Sequence, residues 1–296
     1  MDERRVGVLG ATSLVGECLL PLLTQAGWQV AAFSRREFGR ADKGMEWRRL
    51  PQTCSPFPLT PLPQGERGIK HWICVAPIWV LPDYFDLLEA HGVCRVVVLS
   101  STSRFTKDDS SDPEEQAVAR RLAVAEERVR AWANSKGVEW VIQRPTLIYG
   151  RGRDKNISEM ARFIRRFGFF PIFGQASGLR QPVHAEDVAS ACAAALKAAA
   201  ATNRAYDLSG GETLSYREMT GRVFSALGRQ PKLLHVPLGL FRLAVACLRW
   251  LPRYRHWSVA MAERMNRDLL FDHADAARDF GFAPRQFLLK PKDLPD

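Results

Sequence analysis

The chain has no pattern of cysteines that would hold a metal ion or form a set of disulfides. Its six cysteines, at positions 18, 54, 74, 94, 192 and 247, are scattered without CxxC spacing and without clustered histidines. Structural zinc sites need such spacing, and disulfide frameworks belong to small secreted domains. We therefore predict that the protein holds no metal, and that its thiols stay reduced in a cytoplasmic compartment.

Long apolar runs are also missing. No apolar run reaches the roughly 20 residues that cross a bilayer, and a predicted strand begins at Arg5, so we expect no signal peptide. The apolar segment 238–257 carries four arginines and two tryptophans, and it could lie on a membrane surface. Its pattern favours instead a helix that packs on the core and keeps its arginine heads in solvent.

Acidic residues are too few to balance the basic ones. Lysine and arginine total 42 and aspartate and glutamate total 32, which gives a formal net charge of +10. This surplus either serves general solubility or indicates an anionic partner. The arginines are spread over several segments, and no nucleic-acid-binding motif is present. We expect a small anionic ligand and no nucleic acid.

The chain does contain a strand, a glycine-rich turn and a helix near its start. The apolar run 5–9 leads into the turn Gly10-Ala-Thr-Ser-Leu-Val-Gly16, and an apolar helix follows. This order directs helix N–H groups at the pyrophosphate of a dinucleotide. Gly10 permits a tight turn, and Gly16 permits close packing of helix and strand. Ser13 replaces the usual middle glycine; its hydroxyl can cap the helix, but its Cβ crowds the backbone approach.

A second predicted strand, Gln29 to Phe33, ends in Ser34-Arg35-Arg36. An acidic residue at this point would hold the ribose 2′-hydroxyl of NAD, whereas arginine suits a 2′-phosphate. Arg35 and Arg36 therefore predict NADP(H), with NAD(H) as the less favoured cofactor, unless they are merely exposed loop residues. The segment 51–68 holds five prolines and predicts an irregular crossover.

Beyond this point strands alternate with helices, which predicts an α/β fold with a doubly wound parallel sheet of the Rossmann type. The nucleotide-binding domain is predicted at 1–150 and 181–210. The segments 151–180 and 211–296 depart from the alternation and predict a smaller C-terminal substrate lobe. Further strands are predicted at 46–50, 71–77, 95–99, 139–143 and 206–208, with helices at 83–91, 113–136, 185–201 and between Ser215 and Gly228.

Four motifs in this order resemble the extended or atypical branch of the short-chain dehydrogenase/reductase superfamily, the NAD-dependent epimerase/dehydratase-like proteins. They are the Gly10 to Gly16 turn, Ser100-Ser101 after a strand, Arg144-Pro145…Tyr149-Gly150, and Arg180…Val183-His184…Asp187-Val188-Ala189. The resemblance covers nearly the whole chain.

The resemblance implies which residues form each site. It places Thr102, Arg180 and His184 at the substrate, with Arg180 on the pyrophosphate of a nucleotide sugar unless it only holds its own loop. The cofactor site that it implies consists of Gly10, Thr12, Ser13, Leu14, Val15, Gly16, Arg35, Arg36, Leu50, Ala76, Ser100 and Pro145.

The catalytic residues of the family carry over only in part. The serine at the strand end corresponds to Ser101, but the Tyr-x-x-x-Lys pair of the next helix is replaced by Val118 and Leu122. The usual tyrosine after the serine run is Phe105. The family's chemistry needs a phenol beside an ammonium group, so that a proton can be exchanged as the hydride moves. Tyr149 or Lys107 would have to replace it.

Three functions stay open. The first, which we favour, is an NADP(H)-dependent epimerase, dehydratase or reductase acting on a phosphate-bearing substrate such as a nucleotide sugar. The second is a non-catalytic NADP(H)-binding protein, similar to redox sensors or to the dehydrogenase-like accessory subunit of respiratory complex I. The third is a scaffold that has lost the cofactor. The resemblance also implies a homodimer through the helices at 83–91 and 114–136.

Overall fold

A seven-stranded parallel sheet lies at the centre of the protein. The computed structural model describes residues 4–35, 44–50, 68–237, 239 and 259–295. The second and third strands are added on one side of the first strand, and the later strands are added on its other side. The predicted doubly wound fold is therefore confirmed. In spatial order the strands are β3 (Met45–Arg49), β2 (Gln29–Ser34), β1 (Arg5–Leu9), β4 (His71–Cys74), β5 (Arg95–Leu99), β6 (Glu139–Pro145) and β11 (Arg204–Leu208).

Helices cover both faces of this sheet. One face packs against α1 (Leu14–Gln25) and α6 (Ala185–Ala195), and the other packs against α2 (Phe85–Ala90) and α4 (Pro113–Lys136). Every residue of β5 is buried, because a parallel strand between two helical layers meets no solvent. The alanine-rich α6 ends at Ala195, and the predicted helix over 185–201 is completed by a separate 3₁₀ turn at Ala199–Ala201.

Capping residues set the ends of α4 as the sequence predicts. The Asp112 carboxylate accepts a hydrogen bond from the Glu114 N–H at 2.9 Å, and Pro113 occupies the first helical position. At the other end Gly137 adopts a φ of +67°, which suits glycine. The helix predicted over 83–91 instead begins as a 3₁₀ turn, Ile78–Tyr84, that continues into α2.

A smaller lobe lies beyond the carboxyl edge of the sheet. The last described helix, α9 (Ala274–Phe280), packs beside β11 and α6, although the sequence predicts it in the lobe. The remaining helices are α3 (Ser103–Thr106), α5 (Ile157–Phe167), α7 (Tyr216–Ala226) and α8 (Val259–Arg264). The short strands pair as β7 (Ile148–Tyr149) with β10 (Val183–His184), β9 (Leu179–Arg180) with β12 (Leu214–Ser215), and β8 (Phe170–Phe173) with β13 (Leu233–Val236).

Three sequence predictions fall outside the described residues. They concern Arg36, the crossover 51–68 except Gly68, and the apolar segment 238–257 except Gly239. Within the part of the chain that is described, no helix has both the length and the apolar character to cross a membrane.

Candidate functional site

A cavity of about 610 Å³ opens where β1, β2, β3 and β4 end. Its walls come from the turn after β1, from Phe33, Ser34 and Arg35 at the end of β2, from Leu50 after β3, and from Ala76 after β4. This is the topological switch point of the sheet, where open α/β sheets bind their ligands. We refer to it as the first cavity.

Neighbouring backbone atoms leave no room for a side chain at the two glycines of the turn. Gly10 has a φ of +82°, and a Cβ added to it would lie 2.4 Å from the Ala76 backbone nitrogen. A Cβ on Gly16 would lie 2.5 Å from the Gly10 carbonyl oxygen. Side chains cannot fit at either position, so both glycines are required for the turn and for the packing of α1 on the sheet.

Ser13, the third position of the motif, serves as the N-cap of α1. Its Oγ accepts a hydrogen bond from the Gly16 N–H at 3.0 Å, and its backbone is extended, with a φ of −73°. The Leu14 and Val15 N–H groups belong to the first turn of the helix, where no intrahelical acceptor exists. Thr12, Ser13 and Leu14 line the first cavity, whereas the Val15 side chain is buried in the core. The N-terminus of α1 therefore fits an anionic group such as a pyrophosphate.

Cations, and no carboxylates, are present among the described residues that line the first cavity. Arg35 is exposed there and forms no ion pair within the described chain. Arg153 also lines this cavity and bonds Glu17 of α1. No sequence motif points to Arg153 as a residue of this cavity, because it lies after β7 and is far from the glycine turn along the chain.

A second cavity, of about 970 Å³, opens where β5 and β6 end. Ser101 and Thr102 line it. Their roles as a catalytic serine and a substrate residue stay predictions. The Ser101 Oγ accepts a hydrogen bond from the Ser103 N–H at 3.1 Å, and the Thr102 hydroxyl donates to the Pro145 carbonyl at 3.2 Å. The Ser101 proton therefore stays available to a bound ligand.

The remaining walls of the second cavity combine apolar and basic side chains. Apolar contacts come from α5, α7 and the start of β8, among them Met160, Phe163, Phe170 and Met219. The described residues that line this cavity include one carboxylate, Glu159, and six cations. The cations are Lys107, Lys155, Arg162, Arg166, Arg180 and Arg264. Such a cavity suits an anion that also carries an apolar group.

Arg180 lines the second cavity, but its guanidinium is already engaged. It donates to the Leu179 and Arg267 carbonyls at 2.7 Å each, and also to the Arg264 carbonyl. Burial lowers the pKa of Arg180 to about 10. The residue thus ties β9 to the end of α8 through carbonyl groups, and none of these partners is a carboxylate.

A buried carboxylate, which the sequence analysis missed, occupies the edge of the sheet between β5 and β6. Glu126 of α4 is fully buried, and Arg144 donates to it twice, at 2.9 and 2.7 Å. Arg104, Arg130 and Ser100 contact the same group. Burial raises the pKa of Glu126, but the hydrogen bonds from Arg144 and Ser100 outweigh it and hold the pKa below its ordinary value.

Two of the cofactor residues implied by sequence, Ser100 and Pro145, make hydrogen bonds at the strand ends. The Ser100 hydroxyl donates to Glu126 at 2.6 Å, and the Pro145 carbonyl accepts from Thr102. Neither Ser100 nor Pro145 lines the first or the second cavity. In this conformation both take part in hydrogen bonds that hold the strand ends.

Tyr149 lies in the core of the C-terminal lobe, away from both cavities. It has no exposed surface, and its ring meets His184 and Phe287 edge to face, with centroids 5.0 and 4.9 Å away. Its hydroxyl lies near the Leu288 backbone but makes no hydrogen bond of normal geometry within the described chain. Burial raises the pKa of Tyr149. A role for Tyr149 as the proton donor therefore finds no support in this structure.

His184 is likewise a structural residue. Its Nδ1 accepts a hydrogen bond from the Glu186 N–H at 3.1 Å and so caps α6, which leaves Nε2 to donate to Asp293 at 3.0 Å. The ring is buried and lines neither cavity. The predicted contact between His184 and a substrate is therefore absent from this conformation.

The two residues at the positions of the Tyr-x-x-x-Lys pair face the core. Leu122 is buried between α4 and the sheet, Val118 packs against the same cluster, and neither lines a cavity. Lys107 does line the second cavity, and its Nζ lies 3.7 Å from Glu115. Of the two replacement donors that the sequence suggests, Lys107 alone is in a position to meet a ligand there.

Comparisons with known proteins agree with this architecture. Residues 83–209 match the model of the NAD dependent epimerase/dehydratase family. A 2-alkyl-3-oxoalkanoate reductase from Stenotrophomonas maltophilia is 26% identical, over 95% of this chain and 95% of that protein. NADH dehydrogenase [ubiquinone] 1 alpha subcomplex subunit 9 from Arabidopsis thaliana is 23% identical, over 81% of this chain and 62% of that protein.

Among solved structures, UDP-glucose 4-epimerase from Thermus thermophilus in complex with NAD shares the fold. Its TM-score is 0.61 at 21% identity, and the match covers 79% of this chain and 86% of that one. The family match, the relatives and the sheet order bear out the resemblance predicted from four motifs. The similarity to the NAD dependent epimerase/dehydratase family therefore lies in residues 83–209, and the similar proteins are named as a reductase, a subunit of NADH dehydrogenase and an epimerase.

Proposed function

We propose that this protein is an NADP(H)-dependent reductase whose substrate joins an anionic group to an apolar one. The proposal depends on one observation, that two cavities open at the carboxyl edge of the sheet. The first cavity lies at the N-terminus of α1 and contains Arg35. The second cavity is lined by apolar side chains and by six cations. The first suits a dinucleotide, and the second suits an amphipathic anion.

The preference for NADP(H) is supported by Arg35. Its guanidinium lines the first cavity without an ion-pair partner among the described residues, and no described carboxylate is there to hold a ribose 2′-hydroxyl. A charge-assisted contact to a 2′-phosphate is worth about 1.5–3 kcal/mol. NADPH should therefore bind at least about tenfold more tightly than NADH.

Titration calorimetry with both cofactors tests this preference. Arg35→Ala should bring the affinity for NADPH down to that for NADH. Arg278→Ala is a suitable control, because Arg278 lies on α9 and pairs with Asp275 and Asp279. Equal affinities in the wild type, or an NADPH preference that persists in Arg35→Ala, would contradict the proposal.

The substrate class is supported by the second cavity and by one relative. The relative from Stenotrophomonas maltophilia is named as a 2-alkyl-3-oxoalkanoate reductase, and such a substrate has a carboxylate between alkyl chains. A phosphate-bearing substrate such as a nucleotide sugar offers the same kind of anion with less apolar surface. NADPH consumption with a 2-alkyl-3-oxoalkanoate, compared with a panel of UDP-sugars, decides between them. Turnover of UDP-sugars alone would overturn the amphipathic class.

The chemistry that the described residues can supply centres on Ser101 and Lys107. The bound cofactor would supply hydride to a carbonyl carbon. Ser101 can hold the carbonyl oxygen through its free hydroxyl proton, and the Lys107 ammonium, which lines the same cavity, can give that oxygen a proton. This arrangement needs no phenol on α4.

A second candidate function is a cofactor-binding accessory subunit without turnover. It is favoured by the burial of Tyr149 and by the core positions of Val118 and Leu122. The relative from Arabidopsis thaliana is named as a subunit of NADH dehydrogenase. A wild type that binds NADPH tightly, yet consumes none with either class of substrate, would support this function over the reductase.

A further inference from the structure

Three phenylalanines and an arginine form a patch at the end of α5. Phe163 contacts Phe167 and Phe169, with ring centroids 4.6 and 5.7 Å apart, and Phe167 also meets Phe169 at 6.3 Å. The Arg166 guanidinium lies over the Phe167 ring, 5.3 Å from its centroid. We call Phe163, Arg166, Phe167 and Phe169 the aromatic patch.

The aromatic patch is turned towards solvent and is not buried in the core of the lobe. Phe167 is 51% exposed, and Phe163 and Phe169 are half-buried. Gly168 lies between two of the rings with a φ of +76°, which ends α5 and holds Phe167 and Phe169 against each other. Exposed groups of aromatic side chains mark interaction surfaces, because leaving them in water costs free energy.

Positive charge surrounds these rings. Arg166 forms no ion pair within the described residues, and Arg162 and Arg165 are exposed on the same helix. Arg162 pairs with Glu159 at 2.6 Å, whereas Arg165 donates to the Pro295 carbonyl and keeps its charge uncompensated by a described carboxylate. Three arginines against one glutamate leave the surroundings of the aromatic patch positively charged.

We propose that the aromatic patch binds the surface of an anionic lipid bilayer. Aromatic rings favour the level of the lipid headgroups, where their apolar bodies leave water, and each arginine near an anionic leaflet adds to the attraction. A second copy of this chain would bring the same positive charge to the contact and would be repelled. The proposal does not depend on the identity of the cofactor or the reaction.

The patch also lies next to the second cavity. Phe163 and Arg166 line that cavity and belong to the patch as well. Phe163 further meets Phe170, another residue of the cavity wall, at 5.6 Å. Docking on a bilayer would therefore bring this side of the second cavity close to the membrane, where an amphipathic anion is concentrated.

Co-sedimentation with vesicles tests the patch directly. The full chain should pellet with vesicles of phosphatidylglycerol and phosphatidylcholine, pellet poorly with phosphatidylcholine alone, and be released as salt is raised. Phe167→Ser should reduce the partition coefficient on the order of tenfold, and Arg166→Gln about fivefold. Arg166→Lys keeps the charge and should retain most of the binding.

Val124→Ser is the matched control, because Val124 is a similarly exposed apolar residue (60%) on α4 and is not part of the aromatic patch. It should pellet as the wild type does. The proposal is overturned if the wild type does not pellet with anionic vesicles. It is overturned equally if the double variant Phe167→Ser with Arg166→Gln pellets unchanged, since binding would then come from another part of the chain. A dimer that dissociates in Phe167→Ser, with vesicle binding unchanged, would assign the patch to a second copy.

Discussion

Arg144 of β6 clamps the buried carboxylate of Glu126 of α4 with two hydrogen bonds, from Nε to Oε1 at 2.9 Å and from Nη2 to Oε2 at 2.7 Å. Ser100 donates to the same carboxylate at 2.6 Å from the end of β5. The pair thus joins α4 to two neighbouring strand ends, directly behind the loop that carries Ser101. A buried charge of this kind is destabilising unless all its partners stay in place.

Glu126→Gln should lower the free energy of unfolding by about 3 kcal/mol, because it leaves the Arg144 guanidinium without its main partner in a buried site. Glu127→Gln, on the exposed face of the same helix, should change it by less than about 0.5 kcal/mol. Urea unfolding followed by tryptophan fluorescence measures both. Equal stability of the two variants would contradict a structural role for the clamp.

The same carboxylate predicts a pH dependence of stability. The pKa of Glu126 in the folded protein lies below its ordinary value of 4.5. Its contribution is therefore fully present above about pH 5 and is lost as the pH falls through the folded pKa. The wild type should lose stability steeply below about pH 4.5, and Glu126→Gln should lose less over that range. Parallel curves for the two proteins would exclude Glu126 as the source.

Ser13→Ala should cost about 1 kcal/mol of stability, because the Gly16 N–H loses the hydroxyl that caps α1. Ser13→Gly should lower the free energy of unfolding by only a few tenths of a kcal/mol. This variant should bind NADPH at least as tightly as the wild type, because without the Cβ the cofactor can approach the backbone more closely. Ser215→Ala removes the cap of α7 and serves as the control. It should lose stability without any change in NADPH affinity, which calorimetry measures.

Lys107→Met should reduce NADPH-linked turnover by about 10²–10⁴-fold if Lys107 supplies the proton. Tyr149→Phe should leave turnover nearly unchanged, because that phenol is buried and lines neither cavity. NADPH affinity should be unaltered in both variants. A Tyr149→Phe variant that loses turnover while keeping its stability would return Tyr149 to the mechanism, through a conformation different from this one.

Arg180→Met should lower the free energy of unfolding by about 2–3 kcal/mol, because the Arg264 and Arg267 carbonyls lose a charged donor. Arg217→Met is the control, since Arg217 is half-buried and its side chain makes only long contacts of 3.4 Å. If Arg180 also meets the substrate anion, the KM rises in Arg180→Met with the NADPH affinity intact. Unchanged stability in Arg180→Met would contradict its role in fixing α8.

The sequence by itself determined the fold, the glycine turn and the strand ends. Those features depend on local periodicity, on where glycine is tolerated, and on residues close together in the chain. Gly10, Ser13 and Arg35 could be assigned to one cavity because a strand–turn–helix unit fixes their positions with few alternatives.

Tertiary structure alone decided which polar side chains face a ligand. Tyr149 and His184 follow family motifs, yet packing from Phe287 and Asp293, more than 100 residues later, encloses them. Arg153 and Glu126 had no local signal, because their roles come from partners on distant strands and helices. Burial, which sets whether a phenol or carboxylate can act, is a property of the whole packed chain and is not written in any one segment.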